Sequence, residues 1–231
     1  MKQVTEAELF SRLRDLIKTK TYRIPDYPGF GGTGGPGLML EEILGFDPNN
    51  RDGPDSGTWE IKFHSGRSPL TLFHKTPEPD GVMHSVVRTC GWPDKLGRTS
   101  FRHTIWGKSP RGFQVVDEAS RLIVRNEKYP DIIPPYWAHD TLINAFVYKL
   151  RRLVVVHGSV SKKHGTVNYE SAQMHWEPRI TSLISEIQSG TIAIDFDART
   201  TDGHALRDHG TKFRISINDL DRLYKKTKKF A

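Results

Sequence analysis

Leu9, Leu13 and Ile17, with Phe10 beside them, give residues 4–19 one apolar side. Spacings of three and four are those of an amphipathic helix. Thr5 followed three residues later by Glu8 is a capping-box start. The Gly- and Pro-rich stretch 25–37, PDYPGFGGTGGPG, breaks the pattern, and a short apolar helix, LMLEEILG, then closes on Gly45. Residues 46–57 are turn chemistry throughout. WEIKFH alternates as a strand should, and SPLTLFH reads as its antiparallel partner.

Residues 99–106 and 112–125 read as strands joined by tight turns, 139–150 as an amphipathic helix, and RLVVVHGSV as a buried strand. The spacing predicts a helix over WEPRITSLISEIQSG, strands at TIAIDFDAR and TKFRISI, and a terminal helix over NDLDRLYKKTKKF. No internal repeat or low-complexity linker interrupts the order. Helices alternating with strands, around a strand-rich middle, give an α/β chain with a mixed sheet.

Length and composition narrow the classes. A chain of 231 residues fits one domain, or a core with an inserted lobe. With 36% hydrophobic and 26% charged residues it reads as a soluble globular chain. No apolar run approaches a membrane span, and MKQVTEAELF lacks the apolar stretch of a signal peptide, so a cytoplasmic location is expected. A single cysteine, Cys90, excludes an internal disulfide framework and a zinc site of several thiolates; with no base beside it, it is not a catalytic thiol. The net charge of +7 suits a polyanionic partner, because each phosphate neutralised releases a counterion.

The candidate chemistry begins at Asp55. In Asp55-Ser-Gly-Thr-Trp-Glu60-Ile-Lys62, Glu60 and Lys62 are two apart on a strand and leave the same face. Asp55, in the entering turn after Pro54, can fold back towards them. Two carboxylates beside a lysine are the hard-oxygen arrangement that holds Mg²⁺ against a phosphate, while the lysine orients or helps deprotonate a water. That is the chemistry of a PD-(D/E)xK nuclease. Glu41 or Glu42, on the helix before it, could reach the same ion; the two point about 100° apart, so one of them faces the centre. An exposed Glu–Lys pair on a strand edge is the bland alternative.

Among ten histidines, His204 and His209 are five apart, which does not put two imidazoles on one helical face for zinc. The dense mix in ALRDHGTKFR (Arg207, Asp208, His209, Lys212 and Arg214) suits a G·C-rich major groove, where Arg and Lys donate to guanine and Asp accepts from cytosine. A polar hairpin surface would carry similar residues. The basic run RLYKKTKK could follow a phosphate backbone or be a solvated face.

The blocks LMLEEILG, PDSGTWEIKFH, SPLTLFHKTP, IDFDAR and DHGTKFRISI, in that order, resemble the MvaI/BcnI family of type II restriction endonucleases, which are similar to the MutH nickase. LTLFHK and DHGTKFRI are far more specific than the catalytic motif, and the resemblance is thin between residues 80 and 180. It implies a PD-(D/E)xK core of MutH-like type with two lobes around a DNA cleft, in a single endonuclease domain over 1–231. The catalytic lobe would take roughly 1–80 plus parts of 100–160, the recognition lobe roughly 165–231. It also implies a monomer that nicks each strand of double-stranded DNA in turn at a CCNGG-type site, CCSGG or CCWGG, with a cognate DNA methyltransferase in the same cell. His74 favours S at the centre, whereas DHGTKFRI follows the wording of the W reader.

Residue by residue, the resemblance puts the metal ligands at Asp55 and Glu60, the catalytic lysine at Lys62 and the supporting glutamate at Glu41 rather than Glu42. His74, Lys75, Asp195, Asp197, Arg199, Arg207, Asp208, His209, Lys212 and Arg214 would lie along the DNA. A strand-nicking repair enzyme and a silent DNA-binding module on the same scaffold are the rival readings.

Overall fold

The computed structural model describes residues 4–26, 28–30, 32, 34–46, 54, 58–201 and 205–230. In chain order these form α1 (Glu6–Thr19), β1 (Thr21–Arg23), α2 (Gly35–Leu44), β2 (Glu60–Ser65), β3 (Leu70–His74), α3 (Val82–Cys90) and β4 (Trp92–Pro93). There follow β5 (Thr99–Ile105), β6 (Phe113–Glu118), β7 (Arg121–Asn126), β8 (Tyr136–Ala138), α4 (His139–Leu150), β9 (Arg152–Ser161) and β10 (Thr166–Pro178). The last elements are α5 (Leu183–Gln188), β11 (Ile192–Thr200), β12 (Leu206–Asp208), β13 (Lys212–Ile215) and β14 (Tyr224–Lys229), with 3₁₀ turns at Ile180–Ser182 and Ile217–Leu223.

The chain divides into two compact units, the first made of 1–68, 147–178 and 224–231, the second of 69–146 and 179–223. Of the segments assigned above to the two lobes, 69–80 and 100–146 lie in the second unit, and 165–178 and 224–231 in the first.

In the first unit, among the described residues, strands run in the order β1-β10-β9-β2, with β14 also paired to β10. β2 lies parallel to β9; the other pairings are antiparallel. One sheet face is apolar: Ile61, Val154, Val156, Val167, Tyr169 and Ala172 pack with Leu9, Leu13 and Leu16 of α1 and Leu40 and Leu44 of α2. The helix α1 starts on the expected capping box, Thr5 and Glu8 each bonding the other's backbone N–H. α2 stops at Gly45, whose φ of 83° is the left-handed cap that glycine adopts without strain.

The second unit holds a sheet ordered β3-β13-β11-β5-β4, with β12 on β11, and a three-stranded sheet β6-β7-β8, counted among the described residues. Phe73, Phe101, Phe196 and Phe213 are buried together with Trp137 on the apolar face of the larger sheet.

Four elements differ from the sequence reading. SPLTLFH does not pair with WEIKFH: β3 joins β13 in the second unit, while β2 takes β9 as a parallel neighbour. The thirteen-residue β10 has no clean alternation because it is buried unevenly, and it absorbs Trp176–Pro178 from the expected helix, leaving only Leu183–Gln188 helical after one 3₁₀ turn. The basic C-terminal run is not a helix. It offers no apolar stripe for a helix to bury, and β14 gains a ladder with β10 from Gln173 to Pro178 instead. In the thinly legible region, α3 buries Val82, Met83, Val86, Val87 and Cys90.

Candidate active site and nucleic-acid interface

Alternation along β2 decides what faces where. Ile61 enters the core under α2, so Glu60, Lys62 and His64 leave the opposite face. Cross-strand register extends that face: Glu60, Leu153 and His175 form one row, Lys62, Val155 and Gln173 the next. His64 and His157 face each other, their rings edge to face at 5.8 Å. The start of β2 is anchored by Trp59, which is buried and donates from Nε1 to Glu6 Oε2 at 3.1 Å; Arg152 donates to the same oxygen at 2.9 Å.

Glu60 is only 3% exposed. Its Oε1 accepts from Lys62 Nζ at 2.8 Å, and Lys149 Nζ, at the end of α4, stands 3.6 Å from the same atom. Its Oε2 is buried and has no hydrogen-bond partner among the described residues. A buried carboxylate oxygen without a donor is costly. Two ammonium groups on one oxygen and none on the other leave a hard anionic donor suited to a divalent cation. Close by, burial and then the charge of Glu60 push the Tyr224 phenol well above its usual range, so it stays a donor, to the Leu150 carbonyl at 2.8 Å.

Asp55 lies outside the described residues, and so does His204 of the zinc reading. On α2, Glu41 is half-buried whereas Glu42 is exposed. Among the described residues no group of three or more His, Cys, Asp and Glu side chains forms a metal cage. Cys90 is buried, and burial pushes its thiol up, away from reactivity.

The second unit gathers most of the remaining candidates on the polar face of its larger sheet. His74, Lys212, Asp195 and Thr104 stand in one row across β3, β13, β11 and β5, and Ser100, Arg199 and Arg207 in another. Asp195 is engaged internally: Thr104 donates to it at 2.6 Å and Arg214 at 3.1 Å, while Arg214 also donates to the Pro69 carbonyl at 3.0 Å. Asp197 is flanked by Arg102 at 3.0 Å and Lys212 at 3.3 Å. Arg207 and Asp208 of β12 and His209 just after it are exposed; Asp208 accepts from the Gly210 N–H and the His209 N–H donates to the Asp197 carbonyl. Lys75 is exposed; its backbone is clamped by Thr211 and Trp137.

Three neighbours of these sites escaped the sequence reading. Lys149 sits in the last turn of a helix that runs straight into β9, the strand beside β2. Arg102 falls in TSFRHTIW, two residues before Thr104. His157 is the parallel partner of His64. Only the pairing of β2 with β9, which no local pattern encodes, brings Lys149 and His157 to the β2 face.

The sequence profile of the MvaI/BcnI restriction endonuclease family matches residues 15–224. Among solved structures the chain is similar to the complex of restriction endonuclease MvaI with its cognate DNA substrate, with 25% identity and a TM-score of 0.81 over 98% of this chain and 99% of that one. It also shares the fold of MvaI in the absence of DNA, at 23% identity and a TM-score of 0.53, covering 100% of both chains. No curated protein matches the chain.

Proposed function

We propose, for a chain that belongs to the MvaI/BcnI restriction endonuclease family and is a site-specific deoxyribonuclease, that the β2 face is its hydrolytic centre, with Asp55 and Glu60 holding Mg²⁺. The family uses divalent metal ions, and the carboxylate donors here fit one. The single observation that carries the reading is the buried Glu60, held by Lys62 and Lys149 on one oxygen and unpartnered on the other.

When bound, the ion supplies Lewis-acid charge to the attacked phosphate and makes a water more acidic. Lys62 orients that water and offsets the charge growing on the phosphate. Glu41, half-buried on α2, is the supporting glutamate in this reading.

In the second unit His74, Lys75, Arg199, Arg207, Asp208, His209 and Lys212 read a CCNGG-type site, CCSGG or CCWGG. Asp195, Asp197 and Arg214 lie along the DNA on the same face, Asp197 pairing with Lys212 and Asp195 with Arg214. The enzyme acts as a monomer that nicks each strand in turn, in the cytoplasm, in a cell whose own sites a cognate methyltransferase protects.

The test is digestion of long unmethylated DNA with Mg²⁺ and with EDTA, followed by sequencing of the ends. Discrete Mg²⁺-dependent fragments with CCNGG ends are expected, with the central base read directly. Asp55→Ala and Glu60→Gln should each lower the rate by about 10²–10³-fold or more, the scale seen when one stabilising group is removed, while DNA binding persists. Nicked circles that never become linear would favour a strand-nicking enzyme, and intact DNA a binding module. Wild-type cutting by either variant would sink the site assignment.

A further inference from the structure

Arg102 shares the polar face of the second unit's larger sheet with residues proposed to contact DNA. On β5 it lies directly across from Asp197 of β11, and the next row on that face is Thr104, Asp195, Lys212 and His74. Residues opposite one another on paired strands leave the same side of a sheet. Neither row holds an apolar side chain. The face is open there: Asp195, Asp197 and Lys212 are half-buried, His74 is exposed, and the Arg102 side chain keeps 56% of its exposure. Asp197 stands between two cations, with Arg102 Nε 3.0 Å from Oδ1 and Lys212 Nζ 3.3 Å from Oδ2.

The donors of Arg102 are unspent. A guanidinium carries five N–H groups in a rigid fork. Arg214, on the same face, commits two of them inside the protein, to Asp195 and to the Pro69 carbonyl. The contact of Arg102 with Asp197 is an ion pair without hydrogen-bond alignment, and Asp197 Oδ1 has no hydrogen-bond partner among the described residues. Asp197 thus holds the charge of Arg102 in place while its N–H groups stay available. An exposed ion pair by itself contributes little to stability. The surroundings also distinguish between two parts of DNA. The carboxylates of Asp195 and Asp197 on this face repel a phosphate, whereas base edges in the major groove offer donors and acceptors in turn. A fork steadied by a carboxylate meets the geometric demand of a two-bond contact, which a contact through charge alone does not make.

We propose that Arg102 reads a guanine of the recognition site, donating two guanidinium N–H groups to its O6 and N7 while Asp197 positions the fork. The inference rests on the reading of this face as the DNA-recognition surface, and adds to it a specificity-determining residue.

The experiment measures affinity of the full chain, in EDTA, for a duplex carrying the site the enzyme cuts and for an unrelated duplex. Arg102→Ala should weaken binding to the site duplex by about 5- to 150-fold, the range for one two-bond base contact, and should change binding to the unrelated duplex far less. Arg102→Lys keeps the charge and the pairing with Asp197 but not the fork, so it should not restore the loss; it also decides the matter if the alanine variant fails to fold. Replacing the site guanines one at a time by 7-deazaguanine removes N7. At one position the parent should lose affinity and Arg102→Ala should lose no more. Parental binding by Arg102→Ala overturns the proposal, as does an equal loss on both duplexes that lysine restores, the mark of a phosphate contact. Lys212→Ala and Arg207→Ala separate the two failures. If they lose preference for the site duplex and Arg102→Ala does not, the guanine contact alone is removed; if all three bind as the parent does, the recognition surface on which it rests is removed.

Discussion

Single residues set the position of the β2 face through backbone needs as much as through charge. Gly45 ends α2 at φ 83°, and a methyl group there would stand 1.8 Å from Arg12 Nη1, which donates to the Leu44 carbonyl at 2.6 Å. An alanine would have to adopt the left-handed conformation and displace the guanidinium that caps the helix. Gly45→Ala should therefore destabilise the chain by about 2 kcal/mol, mixing backbone strain with a lost hydrogen bond. A urea midpoint within error of the parent would show that the Arg12 contact contributes nothing. This glycine was legible in LMLEEILG because a helix stop is a local device. Glu60 and Lys62 were legible for the same reason: they are two apart on one strand. Lys149 was not, since its approach to Glu60 depends on a helix ninety residues downstream and shows in no spacing.

At the scale of elements, what the sequence conceals is pairing. The helices α1 and α4 follow their apolar periodicity, and β9 and β11 their β-branched runs. β14 could not be read locally because lysine favours helices, and only the ladder with β10 makes it a strand. Its first residue does further work. Tyr224 is buried, and its hydroxyl donates to the carbonyl of Leu150, one of the last-turn carbonyls of α4 that has no partner within the helix. Tyr224→Phe keeps the ring's packing on His175 and leaves that carbonyl without its donor. The expected cost is about 1–3 kcal/mol in urea unfolding, the range for an unsatisfied buried group. A much smaller change would mean that water or another donor reaches the carbonyl.

Across the whole molecule, charge couples stability to pH in both compact units. His157 in the first and His103 in the second are held below the usual imidazole value, in each case first by burial. For His157 the adjacent His64 adds to the effect and a hydrogen bond with Gln173 opposes it. For His103 the charge of Arg111 adds and that of Asp195 opposes. A histidine that is harder to protonate in the folded chain binds more protons when unfolded, so stability rises with pH through the window between the two values. It is fully present above about 6.5, the value of an unperturbed imidazole, and is lost progressively as pH falls towards the lowered folded values. Acidification also adds positive charge to a chain already at +7 with ten histidines, which favours expansion. The two effects separate by substitution. His103→Gln and His157→Gln together remove two of the ten histidines and only part of the added repulsion, but all of the linkage that these two sites contribute. The urea midpoint should fall less steeply from pH 7.5 to 5.5 in the double variant than in the parent. An unchanged slope would place the acid sensitivity on the general charge of the molecule.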